Sequence, residues 1–464
     1  MEPLRNLPKH ERYGSSYKRF GWFWGLGVEH ETYLITSQTR RLTSFDAATM
    51  KPERYSVNYY KNYKEEPLRL ALAEALVAAN GCMTVPVLLN CHSLTNCDVF
   101  GEHATTYERQ PKPNPKYAGA TMFEWICRHS PWLRSEIGKV FMWDGDTVEF
   151  MTQNFYCATV GSVIRELEEG ERRFEVEMAQ LPKTGVLIAY GPLRLASPRN
   201  EPWATYLTNP RAVSMFNNGT FHINVTLPTR LGFNRQPLRP AKFLRQHRRL
   251  ARLIQWLEPL WVAVHGSGDP FASRSNQFAA GSQRLAVSRY IGLGTYDTDT
   301  MQTGKILQIP KAAGEYPWYD WLHARTAYAP LDIVGLDLNY SKHGAHGLEL
   351  RFLDQMPIAA LQAIMEQVVV ICDLAVEQGW EVPKPQANRQ WCGAAGAALY
   401  EGVGWRVEPE FMNALCRALR IPSGCKEPML CTEALMWVFQ QLEKRKAYCW
   451  RVMMGDKPVG CRPL

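Results

Sequence analysis

GWFWGLGVEHETYLI, residues Gly21–Ile35, alternates apolar Leu26 and Val28 with Gly27 and Glu29, and Glu31, Tyr33 and Ile35 carry the period onward. A period of two is that of a β-strand, so Glu29 and Glu31 share one face of it. Three later stretches also set a charged or imidazole side chain where an apolar one could stand. In Lys139–Phe155, KVFMWDGDTVEFMTQNF, the Asp144–Gly145 step is a strong turn signal and Glu149 lies between Val148 and Phe150, which predicts a hairpin. In GTFHINVTL, from Gly219, Phe221, Ile223 and Val225 alternate with His222, Asn224 and Thr226. In LDLNYSKHGAHGLELRFLD, from Leu336, Glu349 and Arg351 share a face between Leu348, Leu350 and Phe352.

Working outward, Pro67–Asn80 reads as an Ala- and Leu-rich helix capped by Gly81, followed by a strand VPVLLNCHS. TMFEWICRH, a stretch over 160–180, and KFLRQHRRLARLIQWLEPLW read as helices; in the last, Leu250, Leu253, Ile254 and Leu257 give the i, i+3, i+4, i+7 stripe. Long segments and hairpins separate the strands rather than regular βαβ spacing. The expected fold class is therefore α+β with a mostly antiparallel sheet. The division expected is a polar extension over 1–20, a catalytic body over 21–382 and a helical extension over 383–464.

The chain has 464 residues, 46% hydrophobic and 21% charged, which is globular and far from the signature of disorder. A formal charge of +8 favours anionic ligands without singling out nucleic acid. No apolar run reaches the 18 or so residues of a membrane span; LQAIMEQVVVICDLAVEQGW is broken by Glu366, Asp373 and Glu377 and is expected to be a partly buried helix. Twelve cysteines without a secretory leader or regular spacing predict reduced thiols and a cytoplasmic setting. No nucleic-acid or membrane partner is expected.

Convergence of these carboxylates would be costly. At an effective dielectric of about 20 each pair roughly 4 Å apart costs about 4 kcal/mol. Three such pairs would rival the roughly 5–15 kcal/mol stability of a domain, so a cation is required among them. Hard oxygen donors with little sulfur select Mg²⁺ or Mn²⁺ over zinc, and Mg²⁺ commonly brings substrate phosphates. Taken singly, each element has a plain structural reading: a solvated strand face for Glu29 and Glu31, a hydrogen-bonded histidine for His222, an exposed ion pair for Glu349 and Arg351.

In chain order GVEHE, WDGDTVEFMT, GTFHINV and GLELRFLD resemble the motifs of the glutamate–cysteine ligase and glutamine synthetase superfamily, in particular its amidoligase branch. The resemblance spans about Trp22 to Ile371. It implies a curved, funnel-shaped antiparallel sheet in which Glu29, Glu31, Glu149 and Glu349 hold Mg²⁺. It also implies that His222 and Asn224 lie near the phosphates of ATP and that Arg351 contacts the transferring phosphoryl group. Glu29, Glu349 and Arg351 would be the catalytic set. Arg284 is a further candidate for the nucleotide phosphates, with Arg289 beside it. The reaction implied is ATP-dependent joining of a carboxylate, on an amino acid, other small molecule or peptide, to an amine through an acyl phosphate. A guanidino phosphotransferase and a catalytically silent nucleotide-binding protein are the rival readings.

Other signals carry less. Asp144 or Asp146 could join the acids; His92, Asp98, Glu102, His103 and Arg109 would suit a substrate wall or a polar loop. No phosphate-binding G-x-x-x-x-G-K-[ST] loop occurs. His343 with His346 reads as a turn, and Cys91 and Cys97 as inert thiols. Lys242, Arg245, Arg248, Arg249 and Arg252 make a basic helix face, either solvated or facing an acidic partner.

Overall fold

In a computed structural model, the opening strand of the sequence reading is two strands. β1 (Phe23–Thr32) and β2 (Leu34–Thr43) part at Tyr33, and β2 belongs to a different sheet. Tyr33, Leu34 and Ile35 are all buried, so this run is apolar on both faces and passes between layers instead of continuing the alternation. The structure describes residues 23–49, 65–89, 122–144, 147–155, 157–182, 191–196, 201–206, 209–217, 219–230, 237–267, 281–282, 296–297, 302–303, 338–341 and 347–455.

After α1 (Ser44–Thr49) come α2 (Glu65–Ala78) and β3 (Cys82–Leu89). The turn between them needs Gly81, whose φ is +82° and whose N–H reaches back to the Leu76 carbonyl at 2.6 Å. α3 (Met122–His129) and α4 (Pro131–Glu136) lead into the hairpin of β4 (Phe141–Asp144) and β5 (Thr147–Met151), in which Asp144 pairs with Thr147. α5 (Val160–Ala179) follows, with a Thr159–Ser162 capping box at its start. Three strands that the sequence reading passed over come next: β6 (Arg194–Leu195), β7 (Glu201–Tyr206) and β8 (Asn209–Asn217).

β9 (Thr220–Thr229) precedes the 26-residue α6 (Pro240–His265). A short hairpin, β10 (Tyr296–Asp297) with β11 (Gln302–Thr303), stands alone. The stretch ending in GLELRFLD, read as one strand, is two antiparallel strands, β12 (Leu338–Ser341) and β13 (Gly347–Asp354), paired with each other. The rest of the described chain is mainly helical, with α7 (Ile358–Val376), α8 (Arg389–Glu401), α9 (Pro409–Leu419), α10 (Cys431–Leu442) and α11 (Tyr448–Met454), and includes a short antiparallel pair, β14 (Arg406–Val407) with β15 (Met429–Leu430).

The architecture is mixed α+β with antiparallel sheets and flanking helices. One sheet has six strands in the order β12–β13–β9–β1–β5–β4, every pair antiparallel. The other has the order β6–β2–β3–β7–β8, antiparallel except for the β3–β7 pair. Leu26, Val28, Phe221, Ile223, Leu348, Leu350 and Phe352 form a fully buried back face on the six-stranded sheet. Helices α5, α6 and α7 cover that face, with Trp261 of α6 stacked on Phe352 at 6.1 Å.

The apolar core runs without interruption from this sheet into the helices beyond Pro383. Trp256 donates its indole N–H to the Pro383 carbonyl, and Trp391 donates to Gln255. α7 is long and apolar enough to cross a bilayer, but 61% of its apolar window is buried within the protein. Its Asp373 carboxylate accepts the backbone N–H groups of Ala447, Cys449 and Trp450, so it caps α11 rather than facing solvent. The cysteines among the described residues are free thiols.

Candidate active site

The front face of the six-stranded sheet is assembled by register. Glu29 pairs with His222 and Gly27 with Asn224 across β1–β9, while Glu349 pairs with Asn224 across β9–β13. On the other side of β1, Glu31 stands directly opposite Glu149. Because side chains alternate along each strand, these pairings put Glu149, Glu31, Glu29, His222, Asn224 and Glu349 on one face. Arg351, two residues beyond Glu349, follows it on the same face.

His222 lies at the centre of the row. Its Nδ1 is 3.3 Å from Glu29 Oε2 and 3.4 Å from Glu349 Oε1, and its Nε2 is 3.5 Å from Glu31 Oε1. The His222 side chain is 1% exposed and that of Glu349 is wholly buried, whereas Glu29 and Glu31 keep a narrow opening to water. Arg351 donates from Nη1 to Glu349 Oε1 at 3.0 Å. Asn224 donates from its amide to Glu29 Oε1 at 3.4 Å, while its own Oδ1, buried, has no hydrogen-bond partner. Among the described residues, the Arg351 guanidinium and the His222 imidazole share this face with four carboxylates. Glu29, His222 and Glu349 each offer a donor atom within 4.8 Å of the others, which is the spacing of a metal-binding set.

Glycines in the motifs serve close approach. The Phe155 ring lies over β1, so that a Cβ on Gly25 would come within 2.0 Å of it and one on Gly27 within 2.9 Å. Phe155 thus closes the row at the end beyond Glu29. Thr152 binds β1 through its side chain, accepting from Val28 N–H at 2.9 Å. A Cβ on Gly219 would lie 1.8 Å from Gln355 Oε1 and 2.9 Å from the Glu31 carbonyl. The alternating glycines of GLG were the visible sign that something lies against that strand, though not what.

The back of β1 holds a pair that the sequence reading missed. His30, between the two glutamates but facing the other way, contacts Glu171 of α5 through Nδ1 at 2.6 Å and stacks on Phe221 at 4.0 Å. A histidine on an apolar strand face opposite an acidic helix was the available signal.

Arg284, Arg289 and Asp146 lie outside the described residues, as do His92, Asp98, Glu102, His103, Arg109, Cys91, Cys97, His343 and His346. Asp144 ends β4 at the hairpin.

Among solved structures, the chain is similar to a bifunctional glutathione synthetase from Pasteurella multocida, with a TM-score of 0.33 and 10% identity over 97% of this chain and 52% of that one. It is also similar to the complex between the prokaryotic ubiquitin-like protein Pup and its ligase PafA, with a TM-score of 0.29 and 11% identity over 93% and 64%. The chain thus spans about half and somewhat under two thirds of these solved chains. No protein-family model matches it. The chain is 34% identical over 399 residues to Uncharacterized protein R704 of Acanthamoeba polyphaga mimivirus, covering 84% of this chain and 70% of that protein. At that identity and coverage, it belongs to the same family as the mimivirus protein.

Proposed function

We propose that the front face of the six-stranded sheet is the active site of an ATP- and Mg²⁺-dependent carboxylate–amine ligase, with the sheet curved into the funnel of the superfamily its motifs resemble. The observation that carries this reading is convergence. Four separate stretches bring Glu29, Glu31, Glu149, His222, Glu349 and Arg351 to one face, where cross-strand register and Oε–N distances of 3.0–3.5 Å join them.

The residues fit a divalent cation. The donor set is carboxylate oxygen with one imidazole, the chemistry that suits Mg²⁺ or Mn²⁺. The orphaned Asn224 Oδ1 adds a neutral oxygen acceptor beside it. Glu29, Glu31, Glu149 and Glu349 would hold the ions, which when bound supply charge neutralisation to the phosphate oxygens of ATP.

The chain's own groups account for the rest. Arg351, held to Glu349, presents its guanidinium to the phosphoryl group in transfer. His222 and Asn224 orient the nucleotide phosphates from the floor, and Arg284 is assigned to the same task. Phe155 walls the end beyond Glu29 against water. The substrate carboxylate attacks the γ-phosphorus and ADP leaves; the amine nitrogen then attacks the acyl carbon, gives up a proton and expels phosphate. The acid is a small-molecule or peptide carboxylate, and the setting is cytoplasmic. Residues 21–382 carry the reaction and 383–464 buttress it.

The test is production of ADP and hydroxamate by the full chain with Mg-ATP, pooled amino acids and carboxylic acids, and hydroxylamine as the amine. Hydroxamate formed in step with ADP, and abolished by Glu29→Gln, is the expected result. ADP without hydroxamate across acid and peptide pools would replace this reading with phosphoryl transfer to another acceptor.

A further inference from the structure

We propose that His30 is a positioning residue for the acidic row: paired with Glu171 behind the sheet, it fixes where β1 sets Glu29 and Glu31 relative to the neighbouring strands. The inference rests on the reading of the front face as a divalent-metal site.

His30 lies between the two glutamates and faces the opposite way, level with Phe150 of β5 and Phe221 of β9. Leu26, Val28, Phe150, Phe221 and Ile223 around it on that face are apolar and buried. Its Nδ1 meets Glu171 Oε1 at 2.6 Å, its Nε2 is buried without a hydrogen-bond partner, and its ring stacks on Phe221. Glu171 is therefore the one polar anchor of the imidazole among the described residues. Two leucines would suit this layer without loss of stability, since packed hydrophobic groups in place of a buried polar pair are often neutral or stabilising. Leucines would not supply direction.

Direction matters because the strand repeats every two residues. A slip of β1 by two residues, about 7 Å, returns every side chain to its own face, so apolar packing resists it only weakly. Yet it would put Glu31 or Gly27 opposite His222 in place of Glu29. The His30–Glu171 contact does not survive such a shift. From the front, Phe155 over Gly25 and Gly27 holds one end of the strand; His30 holds it from behind, level with the acids. The helix that receives it is tied to the next strand as well. Glu166 of α5 accepts the backbone N–H groups of Gln153 at 2.7 Å and Asn154 at 3.2 Å, just beyond β5. α5 is thus a strut between the strand of Glu29 and Glu31 and the strand of Glu149. Groups behind a metal ligand commonly set its orientation in this way.

The probe is Mn²⁺ alone, titrated calorimetrically at one fixed pH into the full chain without nucleotide, with melting temperatures measured in EDTA. The parent is expected to bind it. His30→Leu and His30→Leu/Glu171→Leu should bind roughly tenfold more weakly, the lower end of what such supporting groups contribute, and by similar factors because both remove the same contact. The double variant should melt at or above the temperature of the parent. His30→Asn, which keeps an N–H donor near the place of Nδ1, should restore most of the affinity. Unchanged affinity in both leucine variants, a loss in His30→Asn as large as in His30→Leu, or losses that track a lowered melting temperature would each overturn the proposal. A parent that takes up no Mn²⁺ would overturn the metal reading itself, and the proposal with it.

Discussion

Glu31 and Glu149 stand directly opposite each other on the antiparallel pair β1–β5, two carboxylates on adjacent strands of one face. Like charges so placed oppose folding by roughly 0.2–1 kcal/mol. Glu149→Gln is therefore expected to raise the unfolding free energy of the metal-free protein by up to that amount. The same substitution should diminish the stabilisation that Mg²⁺ gives the parent. Urea melts with EDTA and with Mg²⁺ measure both; a variant less stable without metal and unchanged in its Mg²⁺ response would contradict the account.

Arg351 neutralises a carboxylate that has no access to water. Arg351→Met leaves Glu349 buried without that partner, a situation that costs about 3–5 kcal/mol. Adding Glu349→Gln to Arg351→Met should restore much of the lost stability while activity stays absent. A double-mutant cycle read by urea denaturation decides it, since additive losses would mean that the pair is not coupled.

A Cβ on Gly25 would enter the Phe155 ring. Gly25→Ala should cost about 1–3 kcal/mol, the range for overpacking. Phe155→Leu in the same chain should recover part of that loss by making room. If Gly25→Ala is neutral, the ring does not lie against β1 in solution.

His265, at the end of α6, is held by burial at a pKa of about 4, below its ordinary 6.5. The unfolded chain then binds the proton more readily than the folded one. Stability is full above pH 6.5 and falls as pH drops toward 4. The loss is at most about 3 kcal/mol, and smaller because the ring is only partly shielded from water. His265→Asn should flatten stability between pH 6.5 and 4 relative to the parent, as chemical denaturation at several pH values would measure.

Much of the front face was legible because a period of two survives in the letters. Glu29 with Glu31, the row of His222, and Glu349 with Arg351 could be put on faces from alternation alone, and the Asp144–Gly145 step fixed the β4–β5 hairpin. Which strands would be neighbours was not legible. Nothing in GTFHINV says that it lies between β1 and β13; pairing order follows from burial of the opposite faces under α6 and α7. Tyr33–Ile35 misled because an apolar run continues a strand as readily as it changes sheets. β7 and β8 were missed because Trp203, Ala204 and Val213 are buried in segments with little alternation. Phe155 and the His30–Glu171 pair depend on contacts between residues more than a hundred positions apart, which no local pattern encodes.

The strand order carries a consequence for how the protein is made. β13, which supplies Glu349 and Arg351, is the last strand of the six to leave the ribosome, yet it docks beside β9 in the interior of the sheet. Until then Glu29 and Glu31 sit on a partial sheet open to water, where their repulsion is screened. Docking of β13 excludes water, and it brings its own counter-ion in the same move. A nascent chain ending before residue 347 could fold its early hairpins and still hold neither half of the Glu349–Arg351 pair, so the acidic row closes only once β13 is made.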